Sequence, residues 1–279
     1  MKTMAIDGLT LFFDPEEGEA AQIIGQACEK SVRLIHECWG LATPLDLRVY
    51  VMTSWLRPML HAAPWPWRIL LGAALPLWGL RAWRLWTVAG GWAQQFGRRR
   101  MVGVKPPRLI QSSDRSIGER IFAKQDDIDS KAQQVACHEL THAFAAHLRL
   151  PVWLNEGLAM VTVDRFMGWP TVKEGTLAAL ARSPGAVSSG RYPRFTTRDS
   201  DAIVYLYVRG YWLVRYIEET RPGLLKGLLT RRFRHDELEN RVAAAYEMGR
   251  EAFWRTIDGM VAARFATLSV PEGRAKEKQ

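Results

Sequence analysis

An α+β fold is predicted, and three features of the sequence predict it. The first 54 residues carry a β-α-β pattern, a long helix with two histidines one turn apart follows near the middle, and helical periodicity runs on almost unbroken after it. At 279 residues and 48 % hydrophobic content the chain can bury a sizeable core, and disorder is not the expected state.

Taken in order, "LTLFF" (9–13) reads as a short strand. In the segment that follows, Ile23, Ile24, Cys28, Val32, Ile35 and Cys38 recur at helical spacing, with Asp14 as cap, Pro15 as first helical residue and Gly40 as stop. "LDLRVYVMTS" (45–54) alternates apolar and polar side chains and reads as a second strand. "VKPPRLI" (104–110) reads as a further strand or strand edge, followed by a polar turn around 112–114. "IDSKAQQVACHELTHAFAAHLRL" then forms a helix that Pro151 closes, and "VWLNEGLAMVTVDRF" (152–166) starts another. After a Gly, Pro and Ser-rich linker (168–195), "DAIVYLYVRGYWLVRYIEET" makes a third helix, and the remainder reads as helical up to a tail, 271–279, expected to be disordered. The expectation is one domain over 1–270, with an N-terminal mixed sheet, an insert at about 55–100 and a helical C-terminal part.

The insert is unusual in composition. Between Asp46 and Asp114 there is no acidic residue, while Arg57, Arg68, Arg81, Arg84 and Arg98 to Arg100 share the stretch with Trp55, Trp65, Trp67, Trp78, Trp83, Trp86 and Trp92. Its longest uncharged run, 69–80, contains a proline and falls short of the ~20 residues a membrane span needs. Two readings stay open: an attachment to an anionic membrane surface through 55–100, with indoles at headgroup level, or a helical hairpin packed over the core as a lid. The net charge of +9 raises nucleic acid as a partner, but no zinc-finger spacing or RNA-binding aromatic signature accompanies it, so nucleic acid is not expected. Arg98 to Arg100 and Arg231, Arg232 and Arg234 read as solvated faces. Three cysteines leave one unpaired in any disulfide scheme, and the N-terminus turns acidic before a signal-peptide run develops. A cytoplasmic location is expected, peripheral on the inner face of the membrane if the insert attaches there.

The chemistry lies in "ACHELTHAFAAH" (136–147). At ~100° per residue, His138 and His142 fall on one helical face, one turn apart, so two imidazoles can grip one ion. His147 falls about 180° away and cannot join them. Glu139 completes H-E-x-x-H and is placed to take a proton from a water activated at the metal. Roughly one chain in a hundred of this length would carry the pattern by chance. A catalytic zinc needs a third protein ligand and an open fourth position. Leu148 stands where metzincins have a histidine, so the candidate is a carboxylate from the next helix, and "LNEGLAM" offers Glu156. Glutamate is ordinarily exposed, but Trp153, Leu154, Leu158 and Ala159 flank this one and point to a buried site where its charge needs a partner.

"HELTH" followed by "WLNEGLA" resembles the gluzincin metallopeptidases, the clan of thermolysin and the alanyl-aminopeptidase type, and especially the short peptidase-MA-like proteins. The resemblance implies a gluzincin-like metallopeptidase domain binding one Zn2+ per chain through His138, His142 and Glu156, with Glu139 as general base and a peptide or protein as substrate. "YVRGYWLVRYIEE" (207–219) is similar to the Y-x-K-G-aromatic helix of the aminopeptidase branch, which implies Tyr207 as oxyanion stabiliser, with Arg209 where that branch has lysine. The alternative is that Tyr205, Tyr207, Tyr211 and Tyr216 form an aromatic core stripe. The G-x-M-E-N motif of aminopeptidases is absent, so aminopeptidase specificity does not carry over. Met160 replaces the orienting aspartate of thermolysin-like members; Asp164 lies one turn further on, its role open. Cys137 reads as core, and His36, His61 and His235 lack a partner at ligand spacing. The rival to an enzyme is a non-catalytic membrane-associated binding module that keeps zinc for stability.

Overall fold

The computed structural model describes residues 1–110, 118–182 and 200–266. The turn expected at 112–114, the second half of the linker and the tail 271–279 lie outside them.

Strands β1 (Lys2–Ile6) and β2 (Leu9–Phe13) form an antiparallel hairpin, and β1 adds to the strands the sequence pointed to. Its two-residue turn, Asp7-Gly8, has φ of 34° and 83°, the left-handed pair that a tight hairpin requires. A 3₁₀ turn, Pro15–Glu17, leads into α1 (Gly18–Trp39). Asp14 holds the cap position, but its side chain pairs with Arg57 (2.9 Å) instead of the helix amides. Gly40, at φ 68°, ends α1 and donates its N–H to the His36 carbonyl. β3 (Leu47–Val51) returns parallel to β2 and completes the β-α-β unit.

The Trp/Arg segment contains α2 (Leu56–Ala62) and α3 (Trp65–Val88), then β4 (Gly91–Phe96), and runs into β5 (Arg99–Val104). The last two are antiparallel to each other, β5 lies parallel to β3, and the mixed sheet has the order β1-β2-β3-β5-β4. A strand at 104–110 is therefore a correction: pairing ends at Val104, and Pro107–Ile110 is a helical turn, α4. Pro106 and Pro107 have no N–H to give a ladder, so the strand has to stop before them.

Period-two alternation splits the sheet between two cores. Leu11, Val49, Val51, Val102 and Val104 face the main core, covered by α1 and the helices below, whereas Tyr50, Met52, Phe96 and Met101 face a second cluster covered by α2 and α3. After α5 (Gly118–Ile121), the Asp127 carboxylate accepts from the amides of Asp129 and Ser130 (3.1 and 3.3 Å) and caps α6 (Ile128–Ala145). α6 packs against β4, β5 and α1, and then α7 (Val152–Met167) returns along it. Part of the expected linker is ordered: Val172 bridges to Phe122, and Leu177–Arg182 forms α8. α9 (Ser200–Thr220) packs closely on α7, and α10 (Leu224–Leu228), α11 (His235–Ala244) and α12 (Arg250–Ala266) complete the helical part. Among the described residues no helix is long and apolar enough to cross a membrane.

Candidate metal centre

His138 and His142 project from one face of α6, as their spacing predicts, and their Nε2 atoms stand 3.0 Å apart. Glu156, in the first turns of α7, places Oε2 3.5 Å from each of them. All three side chains are only 13–15 % exposed. Two imidazole nitrogens facing each other at this distance need a shared proton or a cation between them. Glu156 Oε2 and His142 Nδ1 are also buried without a hydrogen-bond partner, an expensive state for polar atoms in an apolar surround. The group could hold one metal ion, and no fourth His, Cys, Asp or Glu joins it among the described residues.

The electrostatics fit that use. Burial opposes charge on Glu156, but His142 and His138 hold its carboxyl far below the usual carboxylate range. His142 experiences the reverse: burial works against its proton, yet the Glu156 carboxylate lifts it to about 9. The cluster is thus arranged for one positive charge among its three donors.

What brings Tyr207 to Glu156 is a glycine contact between α7 and α9. A Cβ on Gly157 would stand 2.2 Å from the Gly210 carbonyl oxygen, and one on Gly210 would stand 2.5 Å from the Trp153 carbonyl oxygen. α7 and α9 therefore cross backbone to backbone, and Tyr207, one turn before Gly210, arrives beside Glu156. Its ring stacks parallel to His138 with centroids 6.4 Å apart. The Glu156 carboxylate first, and burial second, push the Tyr207 hydroxyl well above its ordinary value, so it remains a donor at neutral pH.

Glu139 sits on the same turn of α6 but faces β4. Its carboxyl is raised chiefly by burial, against the pull of the two imidazoles and of the Ala93 backbone amide. Gly91 makes room for it: a Cβ there would meet Glu139 Cγ at 2.6 Å. Together these groups line a cleft of about 490 Å³, walled on one side by β4 from Gly91 to Gln95 and on the other by Asn155, Glu156 and Tyr207.

No protein-family profile matches the chain, and no curated protein matches it. The site must therefore be read from its own residues.

The remaining candidates fall away from the cleft. Arg209 is buried, its Nε donating to Asp258 (2.8 Å) and its guanidinium over Trp254, so it belongs to the core. Asp164 accepts from the Tyr211 hydroxyl (2.6 Å) and from both the amide and hydroxyl of Thr171 (2.7 Å), which braces the end of α7 and orients no histidine of the cluster. Tyr211 and Tyr216 are core, Tyr205 reaches toward Asp258 (3.5 Å), and of the four tyrosines only Tyr207 borders the cleft. His147 sits in a 3₁₀ turn, Ala146–Leu148, with Nδ1 on the Phe144 carbonyl. Cys137 and Cys28 are buried free thiols, pushed by burial up to about 12. Sequence reasoning did not find Asn155, Ala93 or the glycines at 91, 157 and 210. Asn155 and Gly157 lie in the quoted "LNEGLAM", but their roles exist only once α7, α9 and β4 are assembled.

Proposed function

We propose that the chain is a zinc metallopeptidase of gluzincin type, hydrolysing peptide bonds in the cleft between β4 and α7. The observation that carries this reading is that two groups outside the donor cluster, Glu139 on α6 and Tyr207 on α9, line the same open cleft as its three donors. Ligands at ~2.05 Å from a tetrahedral zinc lie roughly 3.3 Å apart, and the three donors are spaced at 3.0 to 3.5 Å. Three protein donors beside a cleft suit a catalytic site; structural zinc usually takes four.

A zinc ion held there would supply Lewis acidity toward a carbonyl oxygen and bring a water's pKa down to about 7. Glu139, desolvated beside β4, is the group that would accept a proton from the attacking water and return it to the leaving amine. Tyr207 would donate its hydroxyl to the negative charge that develops on the carbonyl oxygen. The test is cleavage of casein or a peptide library by purified protein, with a chelator and with zinc restored. Hydrolysis lost to the chelator and regained with zinc is expected. A protein that binds zinc stoichiometrically and cleaves nothing would instead be the zinc-stabilised binding module.

A further inference from the structure

We propose that α3 lies in the headgroup plane of an anionic membrane, with its outer face inserted among the lipids and its inner face on the sheet. Leu71, Trp78 and Trp86 turn toward the second cluster of the core, and Ala82, between them, is buried. Half a turn round the helix the residues are just as apolar, and they are exposed: Ile69, Leu77 (88 %), Leu80 (61 %) and Trp83 (54 %). Trp65, at the first turn, is 72 % exposed. A helix that is apolar all round belongs in a core or in lipid, and this one has a core on one side only. Single exposed apolar residues need no explanation, but a stripe that runs from Trp65 to Trp83 points to a partner.

The charge around the stripe says which partner. Arg84 is exposed on the outer side of α3, Arg68 at its N-terminal end, and Arg98 in the β4–β5 turn near the point where Trp67 meets Phe96. None of these three has a carboxylate partner among the described residues, and no acidic residue occurs from 47 to 113. Indoles and arginines around an apolar stripe match the interface of an anionic bilayer, where both find hydrogen-bonding headgroups at the depth the apolar side chains prefer. A second copy of the chain would bring the same uncompensated arginines face to face, and repulsion disfavours it. The proposal is of attachment without a span: the helix carries Pro76 and arginines, among the described residues no helix is long and apolar enough to cross a membrane, and Leu71, Trp78 and Trp86 pack against the second cluster. Leu85 and Ala89, near its C-terminal end, border the cleft, so this end of α3 reaches the site.

The full-length protein should co-sediment with vesicles made of equal parts phosphatidylglycerol and phosphatidylcholine, and much less with phosphatidylcholine alone. Leu77→Glu with Leu80→Glu should weaken binding about tenfold or more, and Arg84→Glu should weaken it on the anionic vesicles while changing little on the neutral ones. Both stripe positions are largely exposed, so unchanged thermal unfolding is expected and separates a docking defect from misfolding. Brominated lipid should quench tryptophan fluorescence in the wild type and less in the double variant. The proposal is overturned if wild type ignores the anionic vesicles at low salt, or if the double variant binds as well as wild type. It is equally overturned if sedimentation equilibrium finds a dimer that the double variant abolishes, since the stripe would then be covered by a second copy. These outcomes do not depend on peptidase activity.

Discussion

Glu139 and Glu156 are the same side chain in the same cleft, and only their neighbours separate them. Glu156 has two imidazole nitrogens at 3.5 Å that favour its charged form, whereas Glu139 is desolvated against β4 and its carboxyl is raised. One is therefore suited to hold a cation and the other to exchange a proton. Glu156→Ala should lose most of its zinc by elemental analysis, while Glu139→Gln should keep the metal and lose turnover. Zinc retained in full by Glu156→Ala would reject it as a ligand. Tyr207→Phe should keep zinc and lower kcat by ~10²-fold, the scale of one oxyanion donor; an unchanged kcat would remove the phenol from the chemistry. The two histidines and Glu139 were legible from sequence because helical periodicity is local. Glu156 was legible from its apolar flanks. Only the resemblance of its helix set Tyr207 apart from Tyr211, because both are helical and four apart, and what differs physically is whether a cleft or the Asp164 carboxylate stands opposite.

Between elements, the contact that decides the site is the crossing of α7 and α9 at Gly157 and Gly210. Alanine in place of a helical glycine ordinarily stabilises by ~1 kcal/mol. At position 157 the added methyl would press within 2.2 Å of a backbone oxygen that no rotamer change can move. Overpacking of this kind costs ~1–3 kcal/mol, so Gly157→Ala should be destabilising on balance. It should also weaken zinc binding, because α7 would be pushed off α9 and Glu156 carried with it. Thermal unfolding together with a zinc titration checks both, and a more stable variant with undiminished affinity would show that the close approach does not matter. The sheet illustrates a different obstacle. Asp7-Gly8, joining β1 to β2, is a local hairpin signal carried by two residues. The β4–β5 hairpin is harder to see, because its strands carry Trp92, Gln94, Gln95, Arg99 and Arg100 in a segment whose arginines and tryptophans dominate any reading by composition.

For the molecule as a whole, the sheet is a middle layer: α1 and α6 cover one face, with the metal cluster on α6 and α7, and α2 and α3 cover the other, with the exposed apolar stripe on α3. The donor cluster joins α6 to α7 across the main core, so an ion bound there ties the two together only when the chain is folded. A ligand at ~1,000 times its Kd adds ~4 kcal/mol of stability, which for a domain of this size raises Tm on the order of 10 °C. Calorimetry with zinc and with a chelator should show that difference in wild type and its absence in Glu156→Ala; equal midpoints in wild type would mean that no metal is held. By itself the sequence determined what depends on neighbours along the chain: the β-α-β start, the helices with the stop at Gly40, and the shared face of His138 and His142. Only the tertiary structure decided that Tyr207 of the four tyrosines borders the cleft, how closely Glu156 approaches the imidazoles, and that α3 keeps one apolar face in the core while leaving the other bare. Those outcomes depend on distances between segments far apart in the chain, and a pattern of period 3.6 or 2 says which way a side chain points but not what it will meet.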